Sequence, residues 1–358
     1  MRVDWCKGLL GILLLVVLTT GCLGGSTAGS AWSGLSVEGD TVFFASSTGK
    51  VYALDAATGS LRWQFPQGEK ETVGAFYASP VLAGDTLLVG SVDKNLYALN
   101  SQNGATRWTF ATGDSVVSAV DVLEDTVFLT SSDRKLYALD LATGAKRWEF
   151  TAQNWTWAAP LAVEGRVYVA SMDHRVYCLD AENGAKVWEH AVGAAIPGGM
   201  TLEDGVLYLG ALDSKLHALD AASGNELWAF TAGRWVWGEP AVADGKVYFG
   251  ALDQKVYVVN TATGALAQEP LQVDGAVRAG VVYADGIIYV VTDPGNVYAL
   301  NAADAARLMQ KWPPFRAGAG LLATPAVSGD MLYVATIKGQ AIAINRNTGM
   351  QQWQFPSQ

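Results

Sequence analysis

From about Trp32 to Phe355 the chain alternates short apolar runs with tight polar turns, and the alternation repeats. One unit shows the pattern. Ala159–Val163 is an apolar run closed by Glu164-Gly165, and Arg166–Ser171 is a second run ending at Met172-Asp173-His174. Arg175–Asp180 is a third, closed by Ala181–Gly184, and Lys186–His190 is a fourth. Four runs rich in β-branched and aromatic residues, separated by Gly, Asn and Asp turns, predict a four-stranded antiparallel meander. In the third run Val176 and Cys178 alternate with Tyr177 and Leu179, so both faces are apolar. A sheet with one face in water would be polar at every second position. Each meander must therefore be covered on both sides.

The acidic or amide residue ending the third run recurs at Asp55, Asn100, Asp140, Asp180, Asp220, Asn260, Asn301 and Asn345, at intervals of 45, 40, 40, 40, 40, 41 and 44 residues. A fixed period of this size marks a copied supersecondary unit that cannot bury its apolar faces alone. Four-stranded units of this length close radially into a β-propeller. The expected fold is all-β, an eight-bladed propeller over 32–358, with a seven-bladed ring and one degenerate copy as the alternative. Residues 32–39 read as a first strand and Gln351–Phe355 as a last, fourth strand. Blades one and eight are then each complete in contiguous sequence, and closure would rest on their face-to-face packing.

The clearest copy of the repeat reads Ala53-Leu54-Asp55-Ala56-Ala57-Thr58-Gly59-Ser60-Leu61-Arg62-Trp63. A short acceptor such as Asp55 can bond the N–H groups of its own turn. A glycine four residues on (59, 104, 144, 184, 224, 264, 349) suits a left-handed position leading into the fourth strand. The tryptophan four further on stands at Trp63, Trp108, Trp148, Trp188, Trp228 and Trp353. On an outer strand such a ring can cover the next blade while its N–H finds a carbonyl, which makes it a structural docking residue.

This Ala-x-Asp-x-x-Thr-Gly-x-x-x-Trp pattern resembles the tryptophan-docking motif of PQQ-repeat propellers. It is intact at Ala53–Trp63 and Ala138–Trp148 and nearly intact in four other copies. Gln268 replaces the tryptophan in blade six; in blade seven Ala305 replaces the glycine and Trp312 is displaced. The docking between blades is expected to weaken over residues 265–315.

The first residues carry a different signal. Arg2 and Lys7, then the apolar run Leu9–Leu18, read as a secretory signal, since ten residues cover only about half of the ~20 a spanning helix needs. Leu18-Thr19-Thr20-Gly21-Cys22 resembles a bacterial lipobox, which implies a signal peptide over 1–21 and lipidation of Cys22, with ordinary signal cleavage as the alternative. Residues 22–31 are Gly- and Ser-rich and read as a flexible tether. Acylation of both thiol and amine would suffice for stable anchoring. Localisation would then be the outer membrane facing the periplasm, or the outer face of the cytoplasmic membrane in a host with only one.

Composition narrows the function. The formal charge is −10, which argues against nucleic acid as a partner. Of three cysteines, Cys6 leaves with the signal and Cys22 carries lipid, so Cys178 has no disulfide partner and reads as a small buried hydrophobe. Quinoprotein dehydrogenases, by family resemblance, hold PQQ against a disulfide of adjacent cysteines. None stand adjacent here, so no PQQ cofactor, no catalytic residue and no enzyme activity are expected. His174, His190 and His217 lack metal-ligand spacing, and His217 occupies the position of a repeated tyrosine, so no metal site is expected. Asp93, Asp133, Asp173, Asp213, Asp253 and Asp293 recur between the second and third strands, either as an acidic ring or as shapers of their own turns.

A lipoprotein signal joined to an eight-bladed PQQ-like propeller is similar to the BamB family of outer-membrane β-barrel assembly lipoproteins. That resemblance implies a monomeric envelope scaffold that offers one face to protein partners, among them β-barrel assembly machinery, and touches the membrane only through its anchor. A ligand-binding propeller or an extracytoplasmic sensor is the alternative. The candidate contact residues break the repeat without breaking the fold: Phe76 and Tyr77, Trp155 and Trp157, and Arg234, Trp235 and Trp237, in linkers entering first strands. Arg278 and Arg316 lie in later linkers, and aromatic residues with arginines are typical interface anchors. Trp157 and Trp237 have a second reading, as fillers of the central channel.

Overall fold

The computed structural model describes residues 33–68, 73–302 and 308–356. The signal peptide, the tether and Cys22 lie outside the described residues. Among those described, every regular element is a strand, and the strands form eight antiparallel sheets in simple meander order. Blade one comprises Gly34–Glu38, Thr41–Ser46, Lys50–Asp55 and Leu61–Phe65, and blade eight Ala326–Ser328, Met331–Ala335, Ala341–Asn345 and Gln351–Phe355. Each is built from contiguous chain, so no blade is shared and the ring closes without a strand contributed from the other end.

At five of the joints, blade one against blade eight among them, the first strands of neighbouring blades touch, which sets them round the centre. Second and third strands are buried on both faces: Val42, Phe44, Val51 and Ala53 are each closed to solvent. Every core cluster joins side chains of two successive blades, as where Phe43 and Val51 of blade one meet Leu87 and Leu99 of blade two. Burial on this scale is the main stabilising term.

Turn chemistry follows the expected pattern. Asp55 Oδ1 accepts from the Thr58 N–H at 2.9 Å and the Thr58 hydroxyl at 2.8 Å. Gly59 takes φ of 71° and donates to the Asp55 carbonyl at 2.8 Å. Opposite each motif tryptophan stands a small residue of the third strand, Ala53 for Trp63 and Cys178 for Trp188, next to a register shift. Cys178 is fully buried there, as a small hydrophobe should be.

The docking tryptophans act between blades. Trp63 Nε1 donates to Ser101 O at 2.9 Å, and Trp108, Trp148, Trp188 and Trp228 repeat this bond onto the next blade. Trp353 bonds Ala56 O at 2.9 Å and so links the last blade to the first. Trp312 corrects the expectation of a weak seventh blade. Though displaced in sequence, it packs on Gly349 and donates to Arg346 O at 3.1 Å. The outer strand of blade seven is split into Met309–Gln310 and Phe315–Arg316, both paired with Asn296–Asn301, and the irregular chain between them carries Trp312 into place. Arg346 adds a second lock, donating to Tyr289 OH, Asp285 and Ala284 O of blade seven.

Among the described residues, the joint from blade six to seven is the one without a tryptophan staple. Gln268 Nε2 is buried without a hydrogen-bond partner. A different lock stands nearby: Tyr283 of blade seven stacks on Tyr248 at 5.9 Å and donates to Asp244 of blade six at 2.6 Å.

Candidate partner-binding face and central channel

In each meander the second-to-third turn and the linker entering the first strand lie at the same end. They are joined there by a repeated backbone bond: Ser132 N to Ser115 O, Met172 N to Trp155 O and Leu252 N to Trp235 O, at 2.8–3.0 Å. One residue further along, Val116, Ile196, Val236 and Val277 donate back to the preceding blade. Each linker is thus clamped between two blades.

The clamp sets which side chains emerge. Extended chain alternates its side chains, so the residue between the two outward ones plugs the joint. Val116, Ile196, Val236 and Val277 are fully closed to solvent, and Thr156 is 1% exposed, its hydroxyl donating to Ser131 O at 2.8 Å. Phe76 is such a plug. It is fully buried against Phe43 and Leu87, with its ring 6.3 Å from that of Tyr97, so it is not available to a partner. The register Phe76 N to Ser46 O aligns Tyr77 with Trp157 and Trp237 instead. Adjacent aromatics in sequence gave no sign of which one faces inward; only the backbone register does.

Trp155 and Trp157 are half-buried and stacked, with centroids 5.2 Å apart and planes at 14°, and Trp157 Nε1 donates to Ser132 Oγ at 3.2 Å. Trp235 and Trp237 flank Val236 in the same way, both half-buried. Arg278 lies 5.7 Å over the Trp237 ring and pairs with Asp293 at 2.8 Å. Arg234 and Arg316 are exposed. Tyr77, Trp157, Trp237 and Arg278 therefore occupy equivalent positions around the channel mouth, with Trp155 and Trp235 in the neighbouring outward position.

Asp93, Asp133, Asp173 and Asp213 each accept from a backbone N–H of their own turn, whereas Asp253 accepts from the Tyr257 hydroxyl and Asp293 pairs with Arg278. Asp133 Oδ1 accepts from Lys135 N at 3.0 Å, while Oδ2 accepts from Gly113 N at 2.7 Å and Tyr137 OH at 2.6 Å. Asp93 and Asp173 repeat this arrangement. His217 replaces the tyrosine in blade five, bridging Asp213 at 3.2 Å and Glu226 at 2.7 Å.

Two carboxylates inside the ring were not singled out from the sequence. Two residues beyond the mouth positions stand Ser79, Ala119, Ala159, Gly199, Gly280 and Thr324, and in blade six Glu239. That break in a series of small residues was the available signal. Glu239 stays open to the water of the channel, yet protein closes round it. This enclosure pushes its carboxyl up to about 7; the Thr201 hydroxyl opposes the shift and the charge of Asp121 adds to it. Asp121 accepts from Val122 N at 2.8 Å and Ala162 N at 2.7 Å, and burial raises its carboxyl above the usual range despite both bonds.

Fold and repeat define the class: an eight-bladed PQQ-like propeller with an aromatic linker face. The family model described as outer membrane protein assembly factor BamB matches residues 22–124, 118–195, 172–274 and 265–358, so the chain belongs to that family. The solved structure of BamB from Moraxella catarrhalis is similar at 22% identity with a TM-score of 0.72, covering 86% of this chain and 92% of that one. The computationally designed Ika8 protein is similar at 15% identity with a TM-score of 0.76, covering 88% and 96%. Comparison with curated protein sequences gives no match. At these identities the structural likeness shows the fold, and a fold of this kind hosts many functions.

Proposed function

We propose that this protein is a non-enzymatic envelope scaffold, anchored through lipid on Cys22, that binds protein partners of the β-barrel assembly machinery through its linker face. The observation that carries this reading is the clamped aromatic linkers. Trp235 and Trp237 are held by backbone bonds to two blades, and Trp155 and Trp157 by a backbone bond to their own blade and the Thr156 hydroxyl on Ser131 O of the preceding one, yet all four stay partly open to solvent. Large aromatics on a rigid backbone lose little entropy on binding and are the usual interface anchors. Family membership and the lipobox-like Leu18–Cys22 support the same reading. The propeller would act as a monomer, without PQQ or metal. Affinity capture from detergent-solubilised envelopes should recover barrel-assembly components; recovering none would remove the scaffold reading. Fatty-acid labelling that is lost in Cys22→Ala would support the anchor, and labelling that persists would remove it.

A further inference from the structure

We propose that the mouth of the central channel receives a basic side chain of the partner protein, with Glu239 as its counter-charge and Trp237, two residues away in the same linker, beside its hydrocarbon stem. This rests on the protein-binding reading and names the chemistry of the partner.

The mouth is rimmed by half-buried Tyr77, Val117, Trp157, Trp237 and Leu322, at equivalent positions of successive linkers. Below them the layer is small and neutral except for Glu239. Glycines flank that carboxylate on both sides: a Cβ on Gly199 would come within 2.8 Å of its Oε2, and one on Gly280 within 3.3 Å of its Cβ. Its one hydrogen bond, from Thr201 Oγ1, is long at 3.5 Å, and that hydroxyl has a better acceptor in Pro240 O at 2.6 Å. The basic member of the rim, Arg278, is committed to Asp293. Glu239 therefore lacks an ion-pair partner among the described residues, while Asp121 adds negative charge to the same channel.

A cleft of one charge sign with low-dielectric walls concentrates ions of the other sign. In a chain of formal charge −10 the complementary occupant is a cation. Calcium or magnesium would take six or more oxygen ligands and zinc about four N, S or O ligands, and among the described residues no three His, Cys, Asp or Glu side chains gather to hold a metal ion. Lysine and arginine suit the layers better. Their stems bury along apolar surface while the charged end reaches a polar group, and tryptophan faces attract that end.

The test is calorimetric titration of the intact chain in detergent with a short acetylated peptide of alternating lysine and leucine. A glutamate–leucine peptide and calcium chloride serve as the other arms. The lysine peptide should bind and the glutamate peptide should not. Binding should weaken about tenfold or more in Glu239→Gln, and also as the pH is lowered from about 8 to about 6. Equal binding of both peptides, or no effect of Glu239→Gln, overturns the proposal. Calcium binding that depends on Glu239, without a response to the lysine peptide, replaces it with a metal site. Envelope capture that succeeds equally with wild type and Glu239→Gln leaves the binding face standing and rejects only the channel.

Discussion

The indole of Trp353 sits directly on the backbone of Gly59: a Cβ at that glycine would lie 2.6 Å from the ring. Its N–H bonds Ala56 O across a separation of 297 residues, and the Tyr333 hydroxyl reaches the same carbonyl at 3.2 Å. This pair closes a ring whose first and last blades share no strand.

Gly59→Ala should therefore destabilise the protein through two effects, a side chain at positive φ and a collision with Trp353. A cost of about 3 kcal/mol is expected, against about 1 kcal/mol for Gly165→Ala, where φ is also positive but a Cβ meets nothing within 4 Å. Chemical denaturation of both variants measures the difference. Equal costs would mean that Trp353 packing contributes little to closure.

Trp312→Ala should cost as much as Trp148→Ala, about 3 kcal/mol. Trp312 is only 6% exposed and repeats the docking contact despite its displaced position. A cost near zero would show that its bond to Arg346 O contributes nothing.

At the joint without a tryptophan, Tyr283→Phe removes the hydroxyl that reaches Asp244. A loss of about 1 kcal/mol is expected, with faster amide exchange confined to blades six and seven. Hydrogen–deuterium exchange with peptide-level resolution reads this directly, and acceleration spread evenly round the ring would contradict it.

Glu239 makes stability depend on pH. Its folded carboxyl is raised to about 7 from 4.5, so the folded state binds a proton more tightly than the unfolded chain. Stability from this group is full below about pH 4.5 and is lost as pH rises towards 7. The melting-temperature difference between Glu239→Gln and wild type should therefore shift in favour of the variant over that window. A constant difference would mean that Glu239 titrates normally.

Trp157→Ala and Trp237→Ala should each cut partner recovery at least about tenfold, as expected of interface anchors. Both residues are already partly solvated, so the melting temperature should fall less than in Trp148→Ala. Undiminished recovery in the double variant would locate the partner surface elsewhere.

The repeat, the eight blades and the turn roles of Asp55 and Gly59 were legible in the chain, because they depend on contacts a few residues apart. The period of 40 residues also marked Trp63 and its copies as docking residues. Which atoms they dock to was not legible. The indole of each covers the turn glycine of the following blade, so that glycine answers two demands while sequence suggests one.

Three features were decided only by the tertiary structure. Trp312 reaches its place through a split outer strand, which its displaced position in sequence does not reveal. Phe76 plugs a joint while Tyr77 emerges, because the backbone bond to Ser46 sets the linker's register. Glu239 looks like any surface glutamate until ring closure places it inside the channel with Asp121. Local pattern specifies a blade, whereas partners across blades exist only once eight of them have been brought together round one axis.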